Sequence, residues 1–310
     1  MTEASTSERL GYSKDARVLI VNADDFGMCH DANQATIEGL THGLFTSSSI
    51  LVTCPWFEEA ADFARSHPDA DLGVHLTLNS EWSRYKWGPV LGARAVPSLI
   101  DEGGYLWPDV PKVFERDHLD EAERELRAQI EKALLAGIDV THLDSHMGPL
   151  HFRADYHELY LRLARDYRLP IRLAGRSRLE TMGFHSIVEQ IERDGIVHPD
   201  HLFFEGPSSP EDTSKYWTSL IRSLRPGATE ILCHPAYARQ ELRACAHDPE
   251  QREADFRFFT SDGARRLVGD EGIELIGYRP LRDLMRGASS NPSPVKSRER
   301  VPGAQSASGR

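Results

Sequence analysis

Cysteine is scarce: the 310 residues hold four, Cys29, Cys54, Cys233 and Cys245, and none forms a C-x-x-C pair. That excludes a disulfide-stapled miniprotein, and reduced thiols are the plain reading. No apolar run approaches the roughly 18 residues of a membrane span. The opening MTEASTSERL has neither the basic end nor the apolar stretch of a secretory signal, so the expected compartment is the cytoplasm. Basic charge is also in deficit, with 36 Lys and Arg against 48 Asp and Glu and a net charge of −12. A nucleic-acid binder needs a basic face to neutralise phosphates, so that class is disfavoured, although a local basic pocket is not. No predicted strand is followed by G-x-G-x-x-G, which argues against a dinucleotide fold. No exact repeat and no heptad is visible, and a homo-oligomer stays open. Hydrophobic residues make up 40% and charged residues 27%, as in a soluble globular protein.

Residues 1–15 are polar and read as an N-terminal extension. From Gly287 the chain is rich in Ser, Pro and Gly, the composition of a disordered tail over 287–310. Between them, residues 16–286 show no linker and read as one domain. Within it, short apolar runs alternate with helical patterns. Strands are expected at Val18–Val21, Ser48–Thr53, Leu72–Leu78, Asp139–Asp144, Ile171–Leu173, His201–Phe204, Thr229–Cys233 and Ile273–Ile276. Helices are expected between them. The clearest carries Leu119, Ala122, Leu126, Ile130 and Ala133/Leu134 on one face and ends at Gly137. Pro249–Leu267 reads as the last long helical region. This alternation predicts an α/β protein, a single modified β/α barrel, with an open doubly wound sheet as runner-up.

Four polar clusters stand out. Asn22-Ala-Asp24-Asp25-Phe-Gly27 follows the first strand. Adjacent carboxylates repel unless a cation or proton is shared, so a metal ligand beside a proton-handling group is one reading and a turn pair the other. His75, inside Gly73-Val-His75-Leu-Thr-Leu78, fits a satisfied core histidine better than a ligand when taken alone. Thr141-His142-Leu-Asp144-Ser-His146 crowds the end of an apolar strand with groups that are costly to bury without a task. Cys233-His234-Pro235 is weak alone. Their joint placement is stronger, because all four fall at or just past strand C-termini, which share one rim in a parallel barrel. One carboxylate with two imidazoles is a recognised three-point metal set with coordination positions left open.

The set NADDFG, GVHLTL, THLDSH and CHPA, in this order, closely resembles the YdjC/ChbG/HpnK family of carbohydrate deacetylases, from about Val18 to Asp283. The resemblance implies a modified β/α barrel that removes N-acetyl groups from amino sugars, typically chito-oligosaccharides, with a divalent metal. Position by position it implies Asp25, His75 and His146 as metal ligands, Asp24 as general base and His234 as the histidine on the acid side. Relatives are usually described with magnesium, whereas two imidazoles and a carboxylate would suit zinc. Many relatives continue the DSH motif with further histidines. Here Met147-Gly148-Pro149-Leu150-His151 stands instead, which bears on substrate detail rather than on His146.

Asp144 is expected to orient an imidazole rather than bind metal. Residues 79–118 hold Trp82, Tyr85, Trp87, Tyr105 and Trp107, either a sugar-stacking lid or a staple for a long loop. Two other functions stay open: a barrel hydrolase or isomerase acting on a different sugar bond, and a catalytically silent, metal-stabilised binding protein. Retention of Asp24 and His234 disfavours the silent version.

Overall fold

The computed structural model describes residues 4–116, 118–181 and 183–287. Beyond Gly287, the tail expected over 287–310 lies outside the described residues. Seven strands are present among them: β1 (Arg17–Phe26), β2 (Ser47–Ile50), β3 (Leu72–Leu76), β4 (Val140–Ser145), β5 (His201–Phe203), β6 (Gly227–Cys233) and β7 (Glu274–Leu275). All pairings are parallel, and the path runs β4-β3-β2-β1-β6-β5 with β7 joined to β1. The expected α/β barrel is therefore present as a curled parallel sheet with helices outside it.

The elements follow from local composition. β1 is buried along its whole length after Arg17, as its β-branched and leucine run demands of a strand covered on both faces. β2 reads Ser-Ser-Ser-Ile and is buried too. Its hydroxyls are matched: Ser47 donates to Asn22 Oδ1, Ser48 donates to the Ala23 carbonyl, and Ser49 meets His75 Nδ1. Helix Leu119–Leu135 buries Ala122, Leu126, Ile130 and Ala133 on one face, whereas Leu134, expected beside Ala133, turns one position off that face and is exposed. Gly137 follows in the left-handed region at φ 84°, where a side chain would be strained.

Three departures from the sequence expectation have simple causes. Pro249–Leu267 is two helices, Pro249–Phe259 and Asp262–Asp270, because Ser261 turns out of the helix and caps the second by accepting from Ala264 N. Residues 171–173 form no full strand. Ile171 makes an isolated bridge to Leu143, and its N–H reaches the Val197 carbonyl. This thin seam lies between β4 and Val197, which precedes β5. Finally, the segment read as an extension contributes a capped turn, Thr6–Arg9, ahead of a fully buried Leu10. Asp200 accepts from the backbone N–H of Thr6, Ser7 and Ala228, tying this turn to the start of β6.

No helix among the described residues is long and apolar enough to cross a membrane. A cavity of about 1190 Å³ opens beside the seam, lined by Thr6, Arg9, Gly175, Arg178, His198 and Arg225 among others. None of the rim residues singled out from the sequence lines it.

Candidate active site

The polar clusters converge at the C-terminal ends of β1, β3, β4 and β6. Along a regular strand, Asp24 and Asp25 would point to opposite faces. The β1–β2 register shifts between Ala23 and Phe26, and Asp25 takes φ 67°, a conformation few residues other than glycine adopt. Both carboxylates end up buried near His75, whose Nε2 lies 3.8 Å from Asp24 Oδ2 and 3.5 Å from Asp25 Oδ1. They have different partners. Asp24 is gripped by Arg172, whose Nη1 and Nη2 each donate at 2.7 Å, and Asn22 Nδ2 donates to Oδ1 at 2.8 Å. Asp25 accepts from Arg252 Nη1 through Oδ2 at 2.8 Å. Burial pushes both carboxyls up. Arg172 and His75 overcome it at Asp24, and His146 and Arg252 do so at Asp25, so both stay below the ordinary carboxylate value.

The two imidazoles complete the cluster. The β3–β4 register sets His75 beside Asp144, and Nδ1 contacts Asp144 Oδ1 at 2.6 Å. His146 follows β4, anchored by its N–H to the Leu76 carbonyl. Its Nε2 meets Glu81 Oε2 at 2.9 Å and its Nδ1 lies 3.4 Å from Asp25 Oδ1. Each imidazole thus has one nitrogen on a carboxylate and the other facing Asp25 Oδ1. That oxygen is buried and accepts no hydrogen bond.

Potential ligand atoms of Asp25, His75 and His146 lie within 4.8 Å of one another. A buried orphan oxygen between two histidine nitrogens, each backed by a carboxylate, is a donor set suited to a divalent cation. Burial opposes charge on both histidines, but Asp144 and Asp24 raise His75 above its ordinary value. Glu81 and Asp25 raise His146 to about 10. Asp24, His75 and Asp144 form a second close group, yet Arg172 already occupies both its carboxylates.

Arg172 is one of the residues that the sequence reading missed, with Arg252 on Asp25 another. Arg172 is buried and also bonds Glu230 through Nε at 2.9 Å, joining three carboxylates. Tyr278 donates its hydroxyl to the other Glu230 oxygen. Burial, only partly opposed by Arg172, pushes Glu230 up to about 7. A buried arginine in Pro170-Ile-Arg-Leu173 is costly without anions, the same signal that marked THLDSH. Glu81, in the loop after β3, was missed as well.

His234 lies just past β6, half-buried. Burial lowers its pKa, against the pull of Asp25. His142 does not join the cluster's contacts. It stacks on Tyr278 at 3.9 Å, and burial holds it neutral with a pKa of about 3. In the long loop, Trp82 and Trp87 are buried, and Trp87 Nε1 donates to the Asn79 carbonyl. These two fasten the loop down; Tyr105 is exposed and lies over Lys86.

The model of the family described as YdjC-like protein matches residues 18–270. The chain belongs to that family. Similar proteins include one from Thermus thermophilus, 34% identical over 90% of this YdjC-like chain and 98% of its own length. Another, from Enterococcus faecalis, is 33% identical over 85% and 97%. Both are named carbohydrate deacetylase. A crystal structure from Enterococcus faecalis, of a candidate cellobiose-phosphate cleavage protein, aligns at a TM-score of 0.72. It is 31% identical and covers 86% of this YdjC-like chain and 99% of that one.

Proposed function

We propose that this chain is a carbohydrate deacetylase that hydrolyses the N-acetyl group of an amino sugar with the help of a divalent cation held by Asp25, His75 and His146. The observation that carries the reading is the unpartnered, buried Asp25 Oδ1 facing one nitrogen of each imidazole. The names of the similar proteins support the reaction class.

A bound cation supplies Lewis acidity toward the acetyl carbonyl and makes a nearby water easier to deprotonate. Asp24 is the base that takes the water's proton. The Arg172 fork and Asn22 fix its direction and keep it ionised. Asp144 holds His75 in one orientation and is itself held by Arg172 at 3.0 Å. His234, at the neighbouring strand end, delivers a proton to the nitrogen as the C–N bond breaks. Water and the N-acetyl sugar become acetate and a free amine.

The test is acetate release from a panel of N-acetylated sugars, before and after chelation and with magnesium or zinc restored singly. Activity that chelation leaves intact sinks the cation. His75→Ala and His146→Ala should lose bound cation and turnover together, whereas Asp24→Asn should keep the cation and lose about 10²–10⁴-fold in turnover. Asp24→Asn losing cation as steeply as Asp25→Asn would make Asp24 a ligand.

A further inference from the structure

The loop after β3 reaches back to the proposed ligands at two points. Glu81 meets His146 Nε2 at 2.9 Å with its side chain only 18% exposed. Trp82 lies 5.5 Å from the Arg252 guanidinium, and Arg252 donates to Asp25 Oδ2. The loop is fastened in place. Ser80 Oγ accepts from Trp87 N, the Tyr85 hydroxyl donates to the Met28 carbonyl, and Glu125 accepts from Val90 N and Leu91 N.

We propose that Glu81 is the positioning residue for His146, fixing the tautomer that turns Nδ1 toward Asp25 Oδ1, and that it sets cation affinity through that histidine. This rests on the reading of Asp25, His75 and His146 as a cation site. A neutral imidazole has one donor and one acceptor nitrogen, and an ionised carboxylate can only accept. With Glu81 on Nε2, that nitrogen keeps its proton when a cation displaces the one on Nδ1, and the Nδ1 lone pair then ligates. His75 shows the same logic with the nitrogens exchanged: Asp144 takes Nδ1 and leaves Nε2 facing the same Asp25 oxygen.

The two histidines differ in how firmly the backbone holds them. His75 lies within β3, and its carboxylate partner is in sheet register and tied to Arg172. His146 lies past the end of β4, and the next two residues, Met147 and Gly148, are left-handed at φ 55° and 78°. A ring at such a turn depends more on its side-chain partner. Partners of this kind, when removed, typically cost 10–100-fold in metal affinity.

The experiment is calorimetric titration of the metal-free full chain with zinc chloride and, separately, magnesium chloride. It compares wild type, Glu81→Gln and Glu81→Ala. Glu81→Gln keeps the shape, but its amide can donate as well as accept and no longer dictates the tautomer. We expect the Kd of Glu81→Gln to rise about 10–100-fold and that of Glu81→Ala at least as far. The unfolding midpoint in chelator should not change. In the cation-loaded wild type, ¹⁵N histidine spectra should show His146 protonated at Nε2. A Kd within twofold of wild type in both variants, or a Kd change matched by loss of the metal-free midpoint, overturns the role of Glu81. A wild type that binds neither ion overturns the cation site itself.

Discussion

Replacing Arg172 with methionine should damage stability and turnover together. Methionine roughly keeps the apolar volume but removes the cation that bonds Asp24 twice, Asp144 at 3.0 Å and Glu230 at 2.9 Å. All four side chains are at most 5% exposed, so water cannot replace the lost partner. Removing one member of a buried ion pair costs about 3–5 kcal/mol. At roughly 2–4 °C per kcal/mol for a domain of this size class, Tm should fall by about 6–20 °C. Some of the loss will be recovered as Glu230, already raised, takes up a proton. Asp24 also loses its fork, so kcat should fall steeply, by no more than the 10²–10⁴-fold that a general base contributes. Arg172→Lys should recover part of the stability and less of the rate, because one ammonium cannot meet both Asp24 oxygens. Scanning calorimetry and acetate release on the same preparations measure both. A methionine variant within about 2 °C of wild type in Tm and within a few-fold in rate refutes the reasoning.

Other outcomes follow from particular residues. Glu230 has a folded-state pKa of about 7 against an ordinary 4.5, so the native state keeps a proton that the unfolded chain has released. Stability should therefore be fullest below about pH 4.5 in this contribution, decline up to about pH 7 and level off above it, by on the order of 3 kcal/mol. Glu230→Gln should remove that decline in urea titrations run at several pH values, and an unchanged slope rejects it. His234→Ala should slow an amide substrate strongly and an activated acetate ester much less, since the ester's leaving group needs no proton; equal losses at unchanged cation content argue for a structural histidine. A Cβ added at Gly73 would lie 2.5 Å from the His142 ring, so Gly73→Ala should cost about 1–3 kcal/mol by overpacking. Adding His142→Ala should return part of that loss, and strict additivity in the double mutant would mean the ring is not the obstacle.

Much of this architecture was legible in the chain. The apolar runs of β1 and β3, and the helix from Leu119, announce themselves because burial on both faces or on one helical stripe leaves a periodic trace. The strand-end histidines and aspartates were legible for the complementary reason, polar groups where apolar ones were due. Asp144 was expected to orient an imidazole, and the register makes it His75 rather than its near neighbour His146. Arg172 and Glu81 left no comparable trace. Each gains meaning only from partners far away in sequence, at Asp24, Glu230 and His146. The short strand expected at 171–173 is only a single bridge, because its contacts with Leu143 on one side and Val197 on the other cover too few residues to extend into a ladder. The loop tryptophans were ambiguous from the sequence, since the same ring can stack on a sugar or on the protein; burial decides for Trp82 and Trp87.

That single bridge has a consequence for how the protein ages under heat. Arg172 sits in a narrow seam, where Ile171 is joined to β4 by an isolated bridge and its N–H reaches only the Val197 carbonyl on the other side. Regions with few backbone bonds open locally at a lower free energy than the whole fold. Opening the seam withdraws the guanidinium from Asp24 while β1, β2 and β3 stay paired. Catalytic competence should thus be lost at temperatures where most amide protons of the central strands remain protected from exchange, and on cooling it should return without refolding of the whole domain.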